Sequence, residues 1–481
     1  MIVFPVAFIS RELMRLSATR VWLVAFIYAL LAGLSIQLVV LPVLLPSFHA
    51  GHGLLAGNDV STFHNLAVEL ARRIEIEGWS AWTLKPDSQA PAGIMGAAYV
   101  FFPDEPWVVV PLYAAFFAIS ISLLFVILRL CGFGVWAAGM GVLPLLFLPS
   151  SSLLYAIPHK DVFFVCGNML FFYSILRLAV TSEEVRYGKG LLCLYGKSFL
   201  VGLTGAFLVW TVRPYGVTIM MGAGGLAALA ITIRFVIGMF QHRRRDQLFR
   251  RGSRLVVLWL LIFVLNPLGS GGFSYIVSSG GQQGAEMDMD SMPKNVMYMD
   301  QETGKVLQKV SEAGWVYSGV LPKPFEAMLQ RMTDGRNEYL FWHQNAASAV
   351  DVSVSFLSAR DMVAYLPRAL QVGLFAPFPA DWIGQGSLSA NTLMRRISAL
   401  EMIVWYLFFP FLLWALVRGP DRLAIGILAV YAVSTILVIA VSLPNIGTLY
   451  RIRFGFWIIL FAVAVAMATT MLERRRPACA D

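Results

Sequence analysis

The stretch "VWLVAFIYALLAGLSIQLVVLPVLL", Val21 to Leu45, decides the fold. It holds no charged residue. A bilayer core about 30 Å thick is crossed by about 20 such residues in a helix. Comparable runs recur through a chain of 481 residues that is 58% hydrophobic and only 14% charged. A soluble domain carries about 25% charged residues. Only helices or a closed barrel can span a bilayer, and these runs are continuous rather than alternating. The sequence therefore predicts an all-α polytopic membrane protein with about 10 transmembrane helices.

The expected spans are Val21–Leu45, Val108–Leu130, Val135–Ile157, Val162–Val180, a segment ending at Val212, Gly216–Ile237, Leu255–Pro267, Ala399–Val417, Leu423–Leu443 and Phe454–Leu472. Lys197 falls inside the fifth and would snorkel to the headgroups. The seventh is short unless it extends through "LGSGGF". Ahead of the first span, "MIVFPVAFISRELMRLSATR" reads as an interfacial segment before an uncleaved anchor, not as a signal peptide. The four cysteines, Cys131, Cys166, Cys193 and Cys479, show neither a disulfide framework nor zinc-ligand spacing.

The net charge of +9 comes from basic clusters between apolar runs, which is an orientation signal and not a nucleic-acid footprint. With both termini cytoplasmic, "QHRRRDQLFRRGSR", "LVRGPDR" and "ERRRPACAD" all fall inside. The loops "IPHKD", "VRPYG" and "LPNIGTLYRIR" then face outward, with two long outer segments near 46–107 and 269–398. The chain divides into an N-terminal transmembrane module (1–268), a periplasmic loop (269–398) and C-terminal transmembrane helices (399–481). The loop opens on "SSGGQQGAEMDMDSMPKN", a mobile composition, and continues with the helical patterns "PFEAMLQRM" and "NEYLFWHQNAASAV". It closes on a proline-broken apolar piece, 362–380, that reads as interfacial or re-entrant, or else as an extra span.

Candidate chemistry gathers outside the spans. Beyond the first lies "GNDVSTFHNLAVELARRIEIEGW", in which Phe63, Leu66, Ala67, Leu70 and Ile74 share one helix face suited to a membrane surface. Asp59 stands at its start, as an N-cap, as a general base at the bilayer surface, or as both. His64 follows in the first turns, where a hydrogen-bonded structural histidine is the plainer reading. "PHKD" puts His159, Lys160 and Asp161 in one short loop. That is either a polar turn or a site where Asp161 shares a metal or an acceptor hydroxyl with Asp59 while the cations neutralise phosphate. Arg213, Arg451 and Arg453 oppose the inside-positive bias, and Arg suits phosphate, so an anionic ligand or outer-leaflet headgroups account for them.

These features resemble the GT-C superfamily of integral-membrane glycosyltransferases, most closely the bacterial protein-mannosyltransferase and lipid A aminoarabinose-transferase type. The resemblance rests on Asp59 before "VSTFHNLAVELARRI", the loop "PSSSLLYAIPHKD", Arg213, and "NIGTLYRIRF" before the last span. It implies a periplasmic active site on the bacterial inner membrane. It also implies a polyprenyl-phosphate-linked sugar donor and a glycan, lipid or protein acceptor, in surface polysaccharide or glycolipid assembly. Asp59 and Asp161 take the carboxylate roles, with a divalent metal (Mg or Mn) as the possible cofactor. His159, Lys160, Arg213, Arg451 and Arg453 take the donor phosphate. Asn58 stands where many members carry a second acidic residue, and the loop 269–398 is longer than theirs. The rival functions are a repeat-unit polymerase and a lipid-linked glycan flippase or transporter.

Overall fold

The computed structural model describes residues 18–56, 59–180, 189–239, 245–266, 297–299, 306–309, 315–342, 346–386 and 389–475. The expected interfacial segment before Ala18 and the mobile stretch 278–295 lie outside the described residues. The chain is an all-α polytopic membrane protein: among the described residues, eight helices are long and apolar enough to cross a membrane.

The helices, in order, are α1 Ala18–Leu44, α2 Val60–Glu77, α3 Ala90–Tyr99, α4 Val110–Leu130 and α5 Val135–Phe147. Next come α6 Ser152–Tyr155, α7 Asp161–Val180, α8 Lys189–Val212, α9 Pro214–Met239 and α10 Arg245–Val264. Then follow α11 Lys323–Trp342, α12 Ala359–Phe375, α13 Ser389–Arg418, α14 Arg422–Ser442 and α15 Ile446–Arg475. A two-stranded antiparallel ribbon, Met297–Met299 with Val306–Lys309, lies between α10 and α11.

The third expected span is not one rod. It bends by 70° between Val135–Phe147 and Pro149–Tyr155. Pro149 pushes Leu148 out of the helical region to φ −63°, ψ 134°. The seventh is the short apolar stretch Gly252–Val264 of α10. The last helix begins earlier than hydropathy alone indicates. It starts at Ile446, so "LYRIR" is helix and not loop.

Small residues set the packing where helices cannot gain from hydrophobic burial against lipid. Val21, Ala25, Ala29 and Gly33 form the buried stripe of α1, while Leu23, Ile27 and Leu31 face outward. A Cβ on Gly205 of α8 would lie 2.4 Å from the Gly167 carbonyl of α7. The centre belongs to α7 and α15: every residue from Ile452 to Thr469 is buried.

The loop elements then dock on one end of this bundle. α2 does not lie bare on a membrane surface, as its amphipathic pattern suggests. Its apolar face (Val60, Phe63, Ala67, Leu70, Ile74) is buried, and α3 packs against it. Segment 362–380 is not among the helices long and apolar enough to cross a membrane. Its helix α12 packs along α14, and Gly373 meets Ile436, which lies six residues, or about 9 Å, inside the end of α14. Arg336 of α11 is fully buried and donates to the carbonyls of Val441 (3.1 Å) and Asp351 (2.9 Å), which fixes α11 and the segment around Asp351 to the α14 terminus.

Gly93 tests the α2–α3 lobe. A Cβ there would sit 2.1 Å from the Leu84 carbonyl. Gly93→Ala is expected to destabilise the protein by about 1–3 kcal/mol, as overpacking does, read as a lowered thermal midpoint in detergent.

Candidate active site

Most of the charged residues singled out in the sequence meet at one end of the bundle. Asp161 is the first residue of α7 and is buried. Arg213, in the one-residue junction between α8 and α9, is buried too and donates from Nη2 to Asp161 Oδ1 at 2.5 Å. Its Nη1 donates to the Tyr215 hydroxyl at 2.7 Å. His159 Nδ1 lies 3.0 Å from Asp161 Oδ2, and Arg451 Nε lies 3.7 Å from the same oxygen. The other edge of the His159 ring faces Asp59, with Nε2 4.0 Å from Oδ2. Lys160 holds its ammonium 5.7 Å from the centre of the Phe63 ring on α2.

The two carboxylates have different surroundings. Asp161 is only 7% exposed and is enclosed by Arg213, His159 and Arg451, whereas Asp59 is 67% exposed. Asp59 occupies the N-cap position of α2, but its backbone is helical (φ −64°, ψ −7°) and its side chain makes no capping bond. The capping role is therefore not what holds this aspartate, and its carboxylate is free to face the site. The His159 ring beside it holds the Asp59 carboxyl down at about 2, with Arg451 and Lys160 acting in the same direction against partial burial. Burial, helped by Arg213, brings the Lys160 ammonium down to about 8.

Several buried nitrogens at this cluster lack a hydrogen-bond partner within the protein: His159 Nε2 and the donors Arg213 Nε and Arg451 Nε. Three cations (Lys160, Arg213, Arg451) against two carboxylates (Asp59, Asp161) leave one net positive charge before His159 is counted. Such a set accepts an anion. It does not fit a divalent metal. Asp161 is already engaged by two guanidinium groups and an imidazole, and among the described residues no group of three or more His, Cys, Asp or Glu is placed to hold a metal ion.

Two predicted residues lie elsewhere. Arg453 is two positions along α15 from Arg451, and residues i and i+2 of a helix face different ways. It is fully buried and donates to the carbonyls of Val372 (2.9 Å), Gly373 and Ala376, with its guanidinium 5.1 Å from the Tyr450 ring. Those carbonyls end α12, so Arg453 caps a helix that stops inside the bundle. His64 points away from Asp59. It is buried, hydrogen-bonded to the Tyr99 hydroxyl at 3.0 Å and 4.6 Å from the His52 ring. Burial lowers its pKa, and His52 adds to the effect. This is the structural histidine of the plainer reading.

Sequence reasoning missed Tyr215, Phe63 and Tyr339. Tyr215 lies in the same short motif as Arg213, so proximity was its signal. Tyr339 comes from α11 and hydrogen-bonds Thr448 at 2.8 Å, near enough for Arg451 and Asp59 to act on its acidity. Nothing in the sequence ties that loop helix to the site. Glu401, inside α13, is a further buried carboxylate that sequence reading passed over. It accepts from Ser150 N at 2.7 Å and from the Tyr450 hydroxyl, clamping the bend before α6 to α15.

Compared with protein-family models, curated proteins and solved structures, the chain has no match. The class rests on the fold: a multi-pass helical membrane protein with a charged cluster at one end of its bundle.

The two aspartates separate experimentally by stability. Arg213→Ala strands the buried Asp161 carboxylate and is expected to cost about 3–5 kcal/mol. Asp59→Asn removes an exposed carboxylate that caps nothing, so solvent screening keeps its expected cost to about 1 kcal/mol or less, well below that of Arg213→Ala. Thermal unfolding of the two variants in the same detergent checks both.

Proposed function

We propose that the chain is a membrane glycosyltransferase that moves a sugar from a polyprenyl-phosphate-linked donor to a glycan, lipid or protein acceptor. We place the site at the periplasmic face of the bacterial inner membrane, in surface polysaccharide or glycolipid assembly. The observation that carries this reading is the pairing of one exposed, ionised carboxylate, Asp59, with a partly buried cation cluster in which Arg213 Nε and Arg451 Nε have no hydrogen-bond partner. The cluster stands where membrane-spanning helices begin or end.

In this reading the phosphate lies against Lys160, Arg451 and His159, while Arg213 is held back by Asp161. The acceptor hydroxyl faces Asp59. Its oxygen attacks the anomeric carbon as the bond from that carbon to the phosphate oxygen breaks. The electron pair leaves on the phosphate, where the cations stabilise it, and the proton passes to Asp59. A carboxyl held at about 2 is a weak base. The donor corrects this on arrival, because its phosphate engages His159 and offsets the Arg451 and Lys160 charges that hold Asp59 down. Asp161 orients the cations and does not react. No step is routed through a metal.

A repeat-unit polymerase is the second reading. The approach of Tyr339, from the long loop, to Arg451 and Asp59 favours it. A single added sugar against a ladder of chain lengths separates the two.

Two measurements test the proposal. In a host lacking its own copy, Asp59→Asn at equal membrane level is expected to abolish the glycolipid or polysaccharide change that the intact protein produces, as read by mass spectrometry. A profile matching the intact protein would sink the catalytic role. The second measurement uses the Lys160 ammonium, which is charged below about 8 and neutral above it. Binding of a polyprenyl phosphate is therefore expected to weaken as pH rises from 7 to 9, and Lys160→Met is expected to flatten that dependence.

A further inference from the structure

The α2–α3 lobe carries an aromatic edge that the proposed chemistry does not use. Trp79 and Phe101 stack with ring centres 5.6 Å apart and planes 25° apart. Both remain well exposed, as do Trp82 and Phe102. The edge is rigid: Trp82 Nε1 donates to the Gly93 carbonyl at 3.1 Å, and the backbone amides of Phe101 and Phe102 bond the Ala98 carbonyl. Exposed, immobilised aromatic rings at this density call for a partner.

Chain connectivity says where they are. Phe102 is followed within four residues by Pro106, the start of the apolar span Pro106–Leu130, so the edge cannot stand far from the bilayer. A second tether comes from Lys85. Its ammonium lies 4.1 Å over the Trp210 ring and donates to the Trp210 carbonyl at 3.3 Å, and Trp210 is in the last turn of the span Tyr195–Val212. Leu112 on the first of these spans and Phe207 on the second are exposed apolar residues facing outward from the bundle. Trp and other aromatic rings beside a lysine suit the interface between headgroups and acyl chains.

We infer that Trp79, Trp82, Phe101 and Phe102 form a membrane-inserted edge that seats the α2–α3 lobe in the outer part of the bilayer. The occupant of this surface is lipid, not a protein partner. The inference goes beyond the proposed reaction and does not depend on it. It corrects which part of the lobe meets the membrane: the aromatic rim, not the apolar face of α2, which α3 covers.

The test places a nitroxide at single cysteines of the full chain, reconstituted in phosphatidylethanolamine–phosphatidylglycerol vesicles. Cys193→Ser and Cys479→Ser form the background, since Cys131 and Cys166 are buried. Phe101→Cys is compared with Leu200→Cys, which is exposed within a span, and with Glu69→Cys on the exposed face of α2. Collision with oxygen and with a water-soluble nickel chelate is measured at each site. The expected result is an oxygen-to-nickel ratio at Phe101 shifted towards that of Leu200. A ratio equal to that of Glu69 would place the edge in water and overturn the inference. Low access to both reagents would mean a protein cover and would overturn it as well. If Phe101→Cys fails to reach the membrane, Phe102→Cys reads the same surface.

Discussion

The ion pair between Arg213 and Asp161 is the interaction on which the rest of the site depends. A carboxylate buried at the end of a central helix costs several kcal/mol unless it is paired and hydrogen-bonded. Arg213 supplies the pair, and Tyr215 takes another of its donors. This joins the start of α7 to the α8–α9 junction. With Asp161 fixed, His159 is held between the two aspartates and Arg451 is drawn in from α15. Because Arg213 and Asp161 offset each other, the remaining charges are Lys160, Arg451 and Asp59, one net positive. One buried pair thus sets both the geometry and the sign of the cluster.

The same physical constraint shapes the neighbouring loop. A helix that ends within a bundle leaves carbonyls that water cannot reach. α12 ends this way, and Arg453 supplies the donors. Arg336 plays a comparable part for Val441 at the end of α14. These arginines differ from Arg451 only in surroundings: Arg453 and Arg336 are wholly enclosed, while Arg451 keeps 32% of its side chain exposed. Exposure separates an arginine that holds backbone from one able to meet a ligand.

Much of this was legible in the chain. Hydropathy located the helices because lipid offers no partner to a bare peptide group, so each crossing must be a continuous apolar run. Asp59, His159, Lys160, Asp161 and Arg213 stood out because each breaks the apolar pattern next to a span. Arg453 was misread because its segment passed for a loop, in which neighbouring side chains can converge, whereas in a helix they diverge. The bend at Pro149 was hidden because hydropathy counts apolar residues and does not see the broken hydrogen-bond ladder. The face of α2 was read correctly as apolar, but the pattern does not say whether lipid or protein covers it.

The sequence by itself determined the class of protein, the approximate helices and the set of charges held at the bundle end. Those follow from local composition, which the bilayer reads residue by residue. Only the tertiary structure decided the division of labour among the charges. It paired Asp161 with Arg213, left Asp59 exposed and uncapping, turned Arg453 to a helix end and His64 to Tyr99. It also brought Tyr339 of a distant loop beside Arg451. Each of these depends on which helices are neighbours and how each is rotated, and burial then fixes which charges must be paired and which remain free.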